Sequence, residues 1–182
     1  MRSNFLFLYS ALGLVAPSVC SPINAQASDN VGCLSDWEQI YQIINLYPLA
    51  VDFNSTHELF PLIYAENAFA NYSSPDGKRQ NLRGLQTIID TFAPDGEHYD
   101  AHHLLGSIRI NLTKDQPDKA NGTFYALTNT FGKGRFAGQQ AAFYGIYHDE
   151  YERIDEQGWR VTTRLFSQVG PASGNVSLLE GP

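Results

Sequence analysis

The chain has 182 residues, with 12 Lys and Arg against 19 Asp and Glu, a net charge of −7 and no basic run. That balance excludes nucleic acid and anionic membrane surfaces as partners.

The first element is a targeting segment. Arg2 precedes Phe5 to Ala16, twelve mostly apolar residues that Pro17 breaks. Spanning a bilayer takes about 20 residues, so a cleaved secretory signal is expected over residues 1–20. Small residues place the cut after Cys20 or as late as Ala27, and Pro17 stands where a lipobox would need an aliphatic residue. Cleavage leaves about 155 to 162 residues, enough for one domain with one core, and removes Arg2, giving a net charge of −8. Cys33 is then the single cysteine, which excludes an intramolecular disulfide framework and a cysteine-based zinc site. Packing must supply the stability, helped by 13% aromatic residues. No later run is apolar enough to span a membrane, so the mature protein is expected to be secreted. Five N-x-S/T sequons, at Asn54, Asn71, Asn111, Asn121 and Asn175, point to a eukaryotic glycoprotein whose N-glycans mark solvent-facing positions.

Residues 21–34 lack periodicity and read as a flexible arm. Ser35-Asp36-Trp37-Glu38 is a capping box, and Trp37, Ile40, Tyr41, Ile44, Tyr47 and Val51 form the apolar stripe of the helix it starts. Pro48 should kink or narrow its last turn. A second box, Ser55-Thr56-His57-Glu58, opens a short helix with Leu59, Leu62 and Ile63. A strand over 67–72, a turn at Pro75-Asp76-Gly77, and a third helix with Leu85, Ile88, Ile89 and Phe92, closed by Pro94, follow. Long alternating runs over 99–113, 121–132, 140–155 and 157–169 then predict antiparallel strands joined by hairpins. Helices first and strands afterwards is an α+β pattern: about three N-terminal helices packed on a curved antiparallel sheet. Residues 171–182 read as a C-terminal tail.

The chemistry-bearing residues lie in apolar surroundings. Tyr47 and Asp52 stand near the end of the first helix, and five residues on an ideal helix is an offset of roughly 140°. They converge only if Pro48 bends the helix or the side chains reach around it. Alternation places His102 with Leu104, Ile108 and Ile110, and His103 with Leu105, Ser107 and Arg109, so periodicity favours His102 as the inward residue. A bulge near Gly106 would reverse that. A metal site from His98, His102 and His103 is disfavoured, because adjacent strand residues face opposite sides; no metal or cofactor is expected. His148 and Asp149 suggest a cross-strand polar pair. Arg160 and Arg164 share a strand face with Thr162. No serine sits in a G-x-S-x-G elbow.

The run Tyr147-His148-Asp149-Glu150-Tyr151, with Arg153, Asp155, Gly158-Trp159-Arg160 and Arg164, resembles the closing hairpin of SnoaL-like proteins. Leu46-Tyr47 with Asp52, and His102-His103-Leu104-Leu105-Gly106, resemble that family's first-helix and third-strand motifs. The family belongs to the nuclear-transport-factor-2-like superfamily, with scytalone dehydratase, bile-acid dehydratase and polyketide cyclases among its members. The resemblance covers residues 35–170 and implies a cone-shaped α+β barrel in which a bent sheet wraps an apolar cavity closed by the helices. It implies a cofactor-independent dehydratase, isomerase or cyclase of secondary metabolism, in a secreted fungal member, acting on a hydrophobic carbonyl compound. In that reading His103 is the general base and then acid, with His102 in reserve. Asp52 holds its tautomer, Tyr47 donates to the oxyanion, and Arg164 matches the arginine on the last strand of bile-acid dehydratase. Scytalone dehydratase carries a second histidine on the next strand, where this chain has only Tyr125, Thr128, Asn129 and Thr130 as polar candidates. Its serine and asparagine on the following strand are replaced here by Gly145 and Tyr147. Two other functions fit the same residues: a non-catalytic secreted binder of a hydrophobic ligand, and water addition of the epoxide-hydrolase kind through Asp52 and Arg164. A homodimer through the sheet is common among such relatives.

Overall fold

The computed structural model describes residues 34–73, 79–93, 98–154 and 157–179. The signal segment, nearly all of the arm, the turn at Pro75-Asp76-Gly77, the stop at Pro94, Asp155-Glu156 of the last hairpin and the final three residues lie outside the described residues.

Helix α1 (Asp36–Asp52) starts on the expected capping box: the Glu38 N–H donates to Ser35 Oγ at 3.3 Å, and the Ser35 N–H donates to Glu38 Oε2 at 2.8 Å. Its buried face is Ile40, Ile43, Ile44, Tyr47 and Ala50. Trp37 and Tyr41 lie off the stripe. They are 42% and 39% exposed, and their rings stack on each other at 5.1 Å. The helix runs through Pro48 to Asp52. Helix α2 (Thr56–Ile63) lacks the second capping box: the Ser55 hydroxyl donates to the Phe53 carbonyl instead, at 3.4 Å. The cause is local, because Asn54 takes a left-handed φ of 53° and leaves Ser55 at ψ 32°, outside the extended range a cap needs.

Strand β1 (Tyr64–Ser73) follows at once, paired with a short strand β2 (Arg79–Arg83). Helix α3 (Leu85–Phe92) then carries the chain to the far edge, where β3 (Tyr99–Leu112), β4 (Lys119–Gly132), β5 (Gln140–Ile154) and β6 (Gly158–Gly174) walk back across the sheet. The order is β2-β1-β6-β5-β4-β3. The four long strands are antiparallel neighbours as expected, but β6 lands beside β1 running in the same direction. The sheet is therefore mixed, and it is curved and open rather than a closed barrel. Residues 171–174 extend β6, and Leu178, in a short 3-10 turn beyond it, is buried.

The core lies between α1, α2, α3 and the concave face of the sheet. Trp159 on β6 donates its indole N–H to Asp36 Oδ1 at 3.1 Å, and Arg153 Nη2 meets Asp36 Oδ2 at 2.7 Å. These bonds tie the start of α1 to the closing hairpin. No helix among the described residues is long and apolar enough to cross a membrane.

Candidate active site

Two rows of side chains on the concave face build the site. One runs His103, Thr128, Phe143 across β3, β4 and β5; the other runs Phe124, Tyr147, Phe166 across β4, β5 and β6. With Tyr47 and Val51 from α1, Tyr72 from β1 and Phe92 from α3, members of these rows line a cavity of about 150 Å³. Gly145 makes room for the Phe166 ring, which a Cβ there would overlap.

The choice between the two histidines is made by backbone register. The β3–β4 pairing slips between Gly106 and Arg109, and Ser107 sits there at φ 49°. The slip turns Ile108 and Ile110 inward on one side of it and Ala101, His103 and Leu105 inward on the other. His102 consequently faces out and is exposed. His103 lies on the cavity wall.

Asp52, the last residue of α1, accepts two hydrogen bonds from His103. The backbone N–H reaches Oδ2 at 2.9 Å and ring Nδ1 reaches Oδ1 at 2.6 Å. A carboxylate has only acceptors, so Nδ1 carries the hydrogen, and in the neutral imidazole Nε2 is then the nitrogen with the lone pair. Asp52 stands behind the imidazole, off the cavity wall, where it borders a polar depression with Asp100 and Lys133. A carboxylate at a helix C-terminus opposes the macrodipole, and the two donors of His103 offset that cost. Tyr47 meets the other side of the ring edge-on, with centroids 5.9 Å apart. Tyr47 and Asp52 thus converge through the imidazole between them.

Arg164 is placed differently. It is fully buried and is not part of the cavity wall. Its Nε and Nη2 donate to Asp149 at 2.9 and 2.6 Å, and its Nη1 donates to Tyr64 Oη at 2.8 Å. Its guanidinium carbon lies 4.2 Å from the centre of the Tyr47 ring. The structure therefore does not bring Arg164 to the ligand space with Tyr47 and His103. Its partner is Asp149, directly across the β5–β6 ladder. His148 lies on the other face and pairs with Thr123. Arg160 also leaves the face assigned to it, because the pairing shifts between Glu150 and Tyr151. It is buried and donates to the Pro61 carbonyl at 3.1 Å.

Tyr72 was not singled out from sequence, yet it lies on the cavity wall. Its hydroxyl is 2.9 Å from that of Tyr64, which accepts from Arg164. A hydroxyl that accepts from a cation is a stronger donor, so Arg164 favours Tyr64 as the donor to Tyr72, which leaves the Tyr72 hydrogen for another acceptor. No sequence signal marks this, since the relay depends on β1 lying beside β6. Burial raises the Tyr47 and Tyr147 phenols well above the ordinary range, so both are neutral donors.

The sequence model of the SnoaL-like domain family matches residues 33–165. The chain belongs to the SnoaL-like family. Among solved structures, a scytalone-dehydratase candidate from Novosphingobium aromaticivorans superposes with a TM-score of 0.65 at 18% identity, covering 77% of this chain and 87% of that one. The hexachlorocyclohexane dehydrochlorinase LinA-type3 of Novosphingobium barchaimii gives 0.63 at 18%, covering 76% and 89%. A nuclear-transport-factor-2-like superfamily protein of Salmonella enterica gives 0.61 at 20%, covering 76% and 92%. These likenesses establish the fold. No curated protein matches the chain in sequence.

Proposed function

We propose that this SnoaL-like protein is a cofactor-independent lyase or isomerase, of the dehydratase or cyclase type, acting on a small hydrophobic carbonyl compound. The observation that carries the reading is the hydrogen-bonded Asp52–His103 pair, with the free face of the imidazole on an apolar cavity. His103 Nε2 removes a proton from the carbon beside the carbonyl. In a dehydration the carbon–carbon double bond forms as the bond to the β-hydroxyl breaks, and the imidazolium returns its proton to the departing hydroxide as water. Asp52 holds the tautomer and stabilises the imidazolium, while Tyr47 and Tyr72 donate to the carbonyl oxygen as charge develops on it. Arg164 acts through Tyr64 as a positioning residue. Two of the similar structures, a dehydrochlorinase and a scytalone-dehydratase candidate, support an elimination. The test is turnover of single-ring β-hydroxy ketones by wild type, His103→Ala and Asp52→Asn. Each variant should lose roughly 10²- to 10⁴-fold in kcat; full turnover in both sinks the assignment.

The proposal includes secretion and pairing of two copies through the sheet. None of the sequon residues Asn54, Asn71, Asn111, Asn121 and Asn175 is buried, which suits glycan attachment. On the convex face Leu104, Leu127, Tyr144 and Val169 follow one another across β3, β4, β5 and β6, flanked by exposed Tyr125 and Leu165. An apolar band of this kind supports a self-complementary contact.

A further inference from the structure

Alternation along the strands puts three of the five sequon asparagines on the convex face, and none of them is buried. Asn111 and Asn121 stand opposite each other in the β3–β4 ladder, and Asn111 Nδ2 donates to Asn121 Oδ1 at 2.8 Å. Asn121 shares its side of β4 with the exposed Tyr125. Asn71 stands opposite the exposed Leu165 in the β1–β6 ladder, and its Nδ2 donates to Asn81 Oδ1 at 2.6 Å.

The register sorts this face into rows that cross the strands. One row runs Asn111, Asn121, Glu150, Thr163, and the next runs Arg109, Thr123, His148, Leu165, Asn71. Both rows mix polar and charged groups, and they hold all three sequons. The two rows beyond them, Gly106–Tyr125–Ile146–Ser167 and Leu104–Leu127–Tyr144–Val169, carry neither a charge nor a sequon. At about 3.3 Å per residue, Asn121 lies about 13 Å along β4 from Tyr125 and about 20 Å from Leu127. An N-glycan is bulky and hydrated, so the surface at its root is closed to a packed contact. A chain of net charge −7 repels its own copy, and the uncharged rows are where that copy meets no like charge.

We infer that N-glycans on Asn71 and on the Asn111–Asn121 pair divide the convex face, and that a second copy of this chain docks only on the bare half. The two-fold axis of the pair lies along the Leu104–Leu127–Tyr144–Val169 row, across the strands. An axis parallel to the strands would lay each glycosylated row on its own copy. The axis along the bare row sends the two glycosylated ends to opposite sides. This rests on secretion and sheet pairing as proposed above and adds which part of the face stays open. The sugars set the orientation of the pair and do not oppose it.

The test uses the full-length protein secreted from a eukaryotic host. Glycopeptide mass spectrometry should find sugar on Asn71 and on Asn111 or Asn121. Analytical ultracentrifugation should give a dimer whose dissociation constant moves less than about threefold when an endoglycosidase trims the sugars. Tyr144→Asn with Ile146→Thr places a new sequon in the bare row, and its glycosylated form should sediment as a monomer. Tyr144→Gln with Ile146→Thr, which has no sequon, should stay within about tenfold of the wild-type dissociation constant. Near-ultraviolet circular dichroism reports that both variants are folded, and the trimming comparison needs no variant. A dimer that tightens more than about tenfold on trimming, or one that tolerates the sugar at position 144, overturns this inference alone. A dimer with all three asparagines bare overturns it together with the glycan reading. A wild type that is monomeric with and without its sugars overturns it together with the pairing reading.

Discussion

The Asp52 carboxylate takes both hydrogen bonds that His103 offers on its side, one from the backbone N–H and one from ring Nδ1. One pair of residues therefore orients the imidazole and fastens the end of α1 to β3. Asp52→Ala removes an acceptor from two donors, one of them a backbone N–H, and should cost about 1–3 kcal/mol of stability in urea unfolding. Asp52→Asn keeps a carbonyl for one donor and should cost less while still disabling the base. Equal stability losses in the two variants would contradict this division.

Arg164 and Asp149 form a buried ion pair with every guanidinium nitrogen engaged. Removing one partner strands a charge in the core. Arg164→Met or Asp149→Leu alone should destabilise by about 3–5 kcal/mol, and the double variant should recover most of that loss. A double-mutant cycle by denaturant unfolding measures it. Additive losses would mean that the pair does not couple.

Burial raises the phenols of Tyr47, Tyr64, Tyr147 and Tyr151 above their ordinary value, which is about 10 when unfolded. Above that pH the unfolded chain releases protons that the folded chain keeps, so stability falls as pH rises. Below it the contribution is fully present. Phenolate absorbance from these four should grow only as near-ultraviolet circular dichroism is lost. Their ionisation in a folded protein would refute their burial.

The convex-face band is tested by charge. Tyr144→Glu and Leu104→Glu lie off the cavity wall on exposed positions. Either should turn a dimer into a monomer in analytical ultracentrifugation without lowering turnover. A wild type that sediments as a monomer at micromolar concentration ends the pairing proposal.

The parts of this fold that could be read from sequence are those written in local pattern. Ser35 and Glu38 declare the start of α1, and the four long strands follow from alternation. Strand β2 was missed because Arg79–Arg83 is almost wholly polar and buries only Leu82. The Ser55 box failed because a left-handed Asn54, invisible to a pattern of residue types, changed the backbone entering α2. Tyr47, Asp52 and His103 were recoverable because each sits in a motif. The surroundings of Arg164 were not, since they depend on which residue the ladder sets across from it.

The slip in β3 centres on Ser107, whose φ is 49°. It acts as a phase change, letting one half of the strand dock its isoleucines while the other half aims the imidazole, each on its own beat. At its present length a strictly alternating β3 would send His103 to the solvent with Ile108 still anchored, whereas deleting one residue at the slip would keep the two in phase. The orientation of the imidazole is thereby stored in a count of residues.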